Sequence, residues 1–173
     1  SEKEAVQRLE RAKDAPIYLP LLRSTFDVLR GGEVMGLRWR SIDFEENRIS
    51  IEHKVVEFER QGDKLLIASD NRKTISSRRS MPLIPKVAEE LKRAKAQQAE
   101  NKRAFKKSYS KDKNGYVCVD ALGKLLMPNF VSSHFAWFLR KHELRHIRFH
   151  ELRHTCASLL AISGLPIKQI QLW

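Results

Sequence analysis

The sequence is poor in several things that would otherwise narrow its meaning. It holds two cysteines in 173 residues, Cys118 and Cys156, too few and too far apart for a disulfide framework, so reduced thiols in a cytoplasmic setting are expected. With only seven glycines and six prolines, the composition is that of a packed globular domain rather than a disordered basic tail. No apolar run approaches the roughly 18 to 20 residues that cross a bilayer, and the opening Ser-Glu-Lys-Glu is too polar for a secretory signal. Membrane and export readings are therefore poor. Acidic residues are the minority as well: 21 Asp plus Glu stand against 33 Lys plus Arg, a formal charge of +12. Such a surface attracts phosphates and releases their counterions on contact, which makes nucleic acid the first partner to consider. With 42% hydrophobic residues, the length suits one domain, over residues 1–173, that buries its own core.

Between residues 15 and 39 apolar side chains from Ile17 to Trp39 recur at spacings of three and four, interrupted by Gly31 and Gly32, which predicts two helices around a glycine break. Residues 48–58 alternate, and shorter apolar runs follow at 64–68 and 78–83. These predict a small antiparallel sheet of three strands, with turns at Gln61-Gly62 and near Asp70-Asn71. Pro85 suits a first helical position, and 87–107 is rich in strong helix formers, so a long, largely solvated helix is expected. A polar loop over 108–115 and a brief strand over 116–119 come next, then a helix opened by Pro128. Another is expected over 150–163, stopped by Gly164, and Pro166 begins one more. The expected class is α+β, mainly helical with a small three-stranded antiparallel sheet.

One pentapeptide occurs twice, at 142–146 and 150–154, each time as His-Glu-Leu-Arg-His. Each copy fits the H-E-x-x-H pattern that sets two zinc-binding imidazoles on one helical face, with the Glu as general base. Against a metal site, both copies carry an internal Arg and lie near Arg140, Lys141 and Arg148, and that positive charge opposes a divalent cation. A zinc hydrolase remains the remote reading; it would carry about one zinc per chain.

The second copy also belongs to a longer pattern. His150-Glu-Leu-Arg153-His154-Thr155, continuing into Cys156, resembles the H-x-L-R-H-T box of the tyrosine recombinases, the lambda-integrase family. Upstream, Arg30-Gly31-Gly32-Glu33 with Gly36-Leu37-Arg38-Trp39 resembles that family's first arginine box. Lys73 to Leu83 resembles its lysine hairpin, and Ser163 to Lys168 the turn after the second arginine helix. Four boxes stand in the family's order, and the closest pattern is that of integrases from Gram-positive phages and conjugative transposons.

The chemistry asks for these residue types. Moving a phosphodiester between alcohols without metal requires charge on the non-bridging oxygens of a pentacoordinate phosphate, and paired guanidiniums supply it. The resemblance assigns this to Arg30 and Arg153. It assigns Lys73 the proton for the leaving 5′ oxygen and His150 the phosphate or the nucleophile's proton. Glu33 is expected to fix the Arg30 guanidinium by an i,i+3 contact, and His154 to be a hydrogen-bonded supporting histidine. Lys73, Arg72, Arg78, Arg79 and Arg148 are the candidate DNA contacts. Neither metal nor other cofactor is implied.

Two departures from the family pattern stand out. Asp27-Val28 replaces the usual Thr-Gly turn before the first arginine. The family's nucleophilic tyrosine would fall beyond Trp173, since Tyr18, Tyr109 and Tyr116 all precede the second box. The resemblance therefore implies a recombinase catalytic domain that lacks its nucleophile and the N-terminal core-binding domain, and this segment alone is expected to be cleavage-incompetent. The complete enzyme would work on double-stranded DNA as a homotetramer, through a Holliday junction, in the cytoplasm of a bacterial host at its nucleoid. A catalytically silent DNA-binding module is the alternative, and a type IB topoisomerase would share the chemistry without strand exchange.

Overall fold

The structure is a computed structural model that describes residues 2–27, 29–60, 62–70 and 79–152. Helix α1 (Glu2–Arg11) precedes the first helix expected from the sequence. It forms because Ala5, Leu9 and Ala12 share one face, and all three are buried. Helix α2 (Tyr18–Phe26) buries Leu21 and Leu22, and the Thr25 hydroxyl folds back onto the Leu21 carbonyl at 2.8 Å. Helix α3 (Gly31–Gly36) follows. The two expected helices are present, but the break lies at 27–30, and Gly31 and Gly32 form the first turn of α3 instead.

At that break sits a buried ion pair. The Arg23 guanidinium lies 2.6 Å from the Asp27 carboxylate, with both side chains fully excluded from solvent, and the Asp27 backbone N–H closes α2 on the Arg23 carbonyl. Asp27 is thus what stands where the family pattern has Thr-Gly. Burial pushes its carboxyl up to about 6 against the pull of Arg23.

The alternating run over 48–58 divides at Glu52 into β2 (Arg48–Ile51) and β3 (His53–Arg60). Strand β2 pairs antiparallel with β1 (Ile42–Asp43) and with β5 (Arg79–Pro82), giving a three-stranded sheet in the order β1-β2-β5. Strand β3 pairs with β4 (Asp63–Asp70) as a separate hairpin, with His53 opposite Asp70 and Arg60 opposite Asp63. The expected single sheet is therefore two, because the chain passes from one partner strand to another within one extended run. The hairpin turn falls at Gly62, where φ is +87°. Residues 116–119 take part only in isolated bridges, from Tyr116 to Arg38 and from Val119 to Leu125, and do not form a strand.

Pro85 and Pro128 begin α4 (Pro85–Phe105) and α5 (Pro128–Lys141), where a missing N–H costs nothing. Helix α4 buries only Val87, Ala88 and Leu91 and is otherwise solvated. Helix α5 turns Val131, Phe135, Phe138 and Leu139 into the core. Its outer side stacks Phe130, His134 and Trp137, with the Lys141 ammonium 4.9 Å over the Trp137 ring. The core joins these faces to Val34, Met35, Ile49, Ile51, Val55, Met81 and Val117. The far half of the hairpin does not join it: Phe58, Leu65, Leu66 and Ile67 are all exposed.

The buried pair gives a measurable prediction. Desolvating two ions costs more than their attraction commonly returns, so Arg23→Met/Asp27→Leu is expected to be at least as stable as the wild type at pH 7. The folded-state value of Asp27 lies above its unfolded value of about 3.9, so its contribution is full below that pH and declines as pH rises through about 6. Urea unfolding at pH 4 and pH 7 should show the wild type losing stability relative to the double variant. A double variant several kcal/mol weaker at pH 7 would mark the pair as a net stabiliser.

Candidate active site

Arg30 stands immediately before α3 in extended conformation, with φ −72° and ψ 149°, and its side chain is exposed. Its backbone N–H donates to Glu33 Oε2 at 2.9 Å, while the Glu33 and Val34 amides donate to its carbonyl. A carboxylate in the first turn that reaches back to the preceding amide satisfies an otherwise orphaned donor and suits the positive end of the helix. Glu33, buried, thereby fixes the start of α3 and the point from which the Arg30 side chain departs.

The same device recurs near the second box. Arg148 is extended, its N–H donates to Glu151 Oε2 at 2.5 Å, and the intervening residues form a 3-10 turn, Phe149–Glu151. That backbone hydrogen bond holds the Glu151 carboxyl below the usual carboxylate range, helped by the nearby positive charge of Arg148. Phe149 is buried edge-on against Phe135, with ring centres 5.9 Å apart. Arg148 and His150, on either side of it, are exposed.

These two places meet. A Cβ on Gly31 would lie 3.8 Å from the Phe149 ring, so the residue after Arg30 packs against the residue before His150. A cleft of about 240 Å³ opens beside this contact, lined by Gly31, Gly32, Val55, Glu57, Asn129 and Phe149 among others. Helix α3 rests on β3 without intervening side chains: a Cβ on Gly32 would come within 2.9 Å of the Val55 carbonyl oxygen, and one on Gly36 within 2.7 Å of the His53 carbonyl oxygen. The Glu57 carboxylate accepts the Asn129 N–H at 3.0 Å and so ties β3 to the start of α5.

Of the other candidates, Arg79 is the first residue of β5, opposite Ile51. Arg72, Lys73, Arg78, Arg153 and His154 lie outside the described residues, as do Cys156, the expected helix over 150–163 beyond Leu152 and the one expected from Pro166. Cys118 is fully buried, and burial pushes its thiol up to about 12, so it is chemically inert. The first His-Glu-Leu-Arg-His copy does not form the helix that a zinc pair requires. His142 closes α5, Glu143 has φ +53°, and the chain from Leu144 to Arg148 has no regular structure. No group of three or more metal-ligating side chains occurs among the described residues.

One cluster was not anticipated from the sequence. His53 Nδ1 lies 2.6 Å from Asp70 Oδ1, while Nε2 lies 3.0 Å from Arg38 Nη2 and 3.1 Å from the Tyr116 hydroxyl. Burial holds the His53 imidazole below its ordinary value, against the hydrogen bond to Asp70. Only alternation along β3 and the bulk of Tyr116 pointed inward in the sequence; the partners are too far apart in the chain for spacing to reveal them.

The family model described as "Phage integrase family" matches residues 10–172. The tyrosine recombinase XerC-like protein of Caldanaerobacter subterraneus subsp. tengcongensis is 28% identical over 147 residues, 82% of this chain and 38% of that protein. XerA recombinase is similar in structure with a TM-score of 0.72 and 19% identity, over 99% of this chain and 53% of that one. The Tn1549 transposon integrase in complex with transposon right end DNA gives a TM-score of 0.72 and 20% identity, over 94% and 50%. The chain thus shares its fold with these recombinases and spans about half or less of the length of each.

The α3–β3 contact generates a test on two neighbouring glycines. Gly36→Ala forces a methyl group into backbone and is expected to cost about 1 to 3 kcal/mol in urea unfolding. Gly31→Ala, which meets only the edge of Phe149 at ordinary contact distance, should be tolerated.

Proposed function

The chain belongs to the phage integrase family, and from that premise we propose that it is the catalytic domain of a site-specific DNA recombinase that cuts and rejoins strands through a 3′-phosphotyrosine. The observation that supports this reading is the proximity of Gly31 to Phe149, the sequence neighbours of Arg30 and His150. In the cleavage step a tyrosine oxygen attacks phosphorus, the bond to the 5′ oxygen breaks, and that oxygen takes up a proton. Arg30 and Arg153 hold the non-bridging oxygens of the pentacoordinate phosphate. His150 faces the same phosphate, and Lys73 delivers the proton. The phosphotyrosine conserves the bond energy, so rejoining needs no nucleotide.

The environments of the tyrosines support a nucleophile from outside this segment. The Tyr116 hydroxyl is engaged with His53, and burial holds the hydroxyls of Tyr18 and Tyr109 above their ordinary value, the wrong direction for attack. The formal charge of +12 suits a double-stranded DNA partner bound with steep salt dependence. Arg72, Arg78, Arg79 and Arg148 supply backbone contacts in this reading. The complete protein acts as a homotetramer on two DNA sites, at the nucleoid in the bacterial cytoplasm. No helix among the described residues is long and apolar enough to cross a membrane.

The test is a nicked suicide substrate in EDTA, run with the full-length product of the gene that encodes this chain and with the 173-residue chain beside it. A covalent protein–DNA adduct on a denaturing gel is expected from the full-length protein alone. Arg30→Ala and Arg153→Ala in that protein should slow adduct formation by about 100-fold or more while changing DNA affinity by only a few fold. An adduct from the 173-residue chain would place the nucleophile within it. No adduct from either would favour the silent DNA-binding module.

A further inference from the structure

Four polar side chains with no part in the proposed chemistry meet at the root of the β3–β4 hairpin. Arg38, His53 and Tyr116 are each more than nine-tenths buried, and the Asp70 side chain is 38% exposed. The partners define the protonation of His53. An arginine has donors and no acceptor, so Nε2, which faces Arg38 Nη2 and the Tyr116 hydroxyl, presents its lone pair. Nδ1 then carries the hydrogen and donates it to Asp70 Oδ1 at 2.6 Å. Arg38 closes the ring: its Nη1 lies 3.6 Å from the same Asp70 oxygen, and its guanidinium sits 5.6 Å over the Tyr116 ring.

The cluster joins pieces of chain that also meet through the β3–β4 ladder, the packing of α3 on β3 and the Arg38–Tyr116 bridge. Arg38 follows the end of α3, the helix that starts at Arg30, and the backbone there is held by Val117 N–H on the Leu37 carbonyl and Trp39 N–H on that of Gly115. His53 opens β3 and Asp70 ends β4, opposite one another. Strand β4 is paired with β3 along its whole length and its residues Leu65, Leu66, Ile67 and Ala68 are exposed, so the Asp70 carboxylate adds a side-chain hold to the ladder at the end of β4. Lys73 comes three residues later, within about 11 Å of Asp70 even for a fully extended chain.

We propose that Arg38, His53, Asp70 and Tyr116 are positioning residues that fix where β4 hands the chain on toward Lys73, relative to the helix that starts at Arg30. This rests on the reading of Lys73 as the donor of a proton to the 5′ oxygen. In this proposal the cluster bears on that proton transfer: it sets the launching point of the segment bearing the acid, whereas the start of α3 at Arg30 is fixed by Glu33. Arg38 Nη2, both His53 nitrogens and the Tyr116 hydroxyl find their partners within the cluster, and losing one of these partners relaxes the geometry that the network holds.

A change of leaving group separates this role from a structural one. The scissile phosphate is made with its ordinary 5′ oxygen or with a bridging 5′ sulfur, which departs as a thiolate and needs no acid. Cleavage by the full-length protein is timed on both nicked substrates. On oxygen, Asp70→Ala is expected to slow cleavage by about 10- to 100-fold, Tyr116→Phe by less, and Asp70→Asn, which keeps an acceptor for Nδ1–H, to lie nearer the wild type. On sulfur all three should approach the wild-type rate, as should Lys73→Ala. Because Asp70 is partly exposed, its loss leaves the core intact, and Asp70→Ala at the wild-type rate on oxygen would overturn the proposal. Asp70→Ala slow on both substrates while Lys73→Ala is rescued by sulfur would overturn it too, leaving Lys73 as the acid. Lys73→Ala slow on both would remove the acid role of Lys73 and the clamp's purpose with it.

Discussion

Because the carbonyl oxygens of His53 and Val55 lie within 3 Å of where Cβ atoms on residues 36 and 32 would stand, α3 lies flat on β3 only while both positions are glycine. The remaining geometry follows from that distance. With α3 against the strand, Val34 and Met35 reach the core, Gly31 touches Phe149, and Arg38 emerges from the end of the helix beside His53. A short helix of six residues has too few internal hydrogen bonds to be stable alone. Its orientation is imposed by what it rests on, and with it the direction in which Arg30 leaves the surface.

The two Arg-x-x-Glu segments show how the domain presents cations at the ends of short helical turns. In each, the glutamate satisfies the backbone amide of the arginine three residues earlier. The carboxylate places the arginine by its main chain and compensates the local positive end of the turn. The two segments approach each other at Gly31 and Phe149, so the two arginines leave from neighbouring stretches of backbone.

What could be read from the sequence was what is encoded locally. Pro85 and Pro128 mark helix starts that the structure has, the turn at Gly62 is where composition put it, and the spacing of Arg30 and Glu33 is a helical turn in both readings. Helix α1 escaped notice because its buried face is made of Ala5, Leu9 and Ala12, too small and too sparse to stand out among charged neighbours. The division of the sheet at Glu52 was hidden because alternation continues across it; only the pairing partners change. The four-residue cluster at the hairpin root was invisible for a different reason, since its members come from four separate stretches and none is unusual in its own surroundings. Asp27 was noticed as a departure, but its burial against Arg23 depends on a fold that no short motif describes. The first His-Glu-Leu-Arg-His copy misleads in the opposite sense, for its spacing is helical while its backbone is not.

The exposed side chains of the hairpin have a consequence for how the molecule behaves in bulk. Phe58, Leu65, Leu66 and Ile67 give two strands an apolar surface with no cover among the described residues. Copies of this chain are kept apart by their common charge of +12, a repulsion that reaches about 30 Å at 0.01 M salt and about 8 Å at 0.15 M. Ionic strength therefore sets colloidal stability as well as affinity for polyanions. Dilute buffers favour dispersed chains, whereas strongly excluded salts such as sulfate both screen the repulsion and strengthen apolar association.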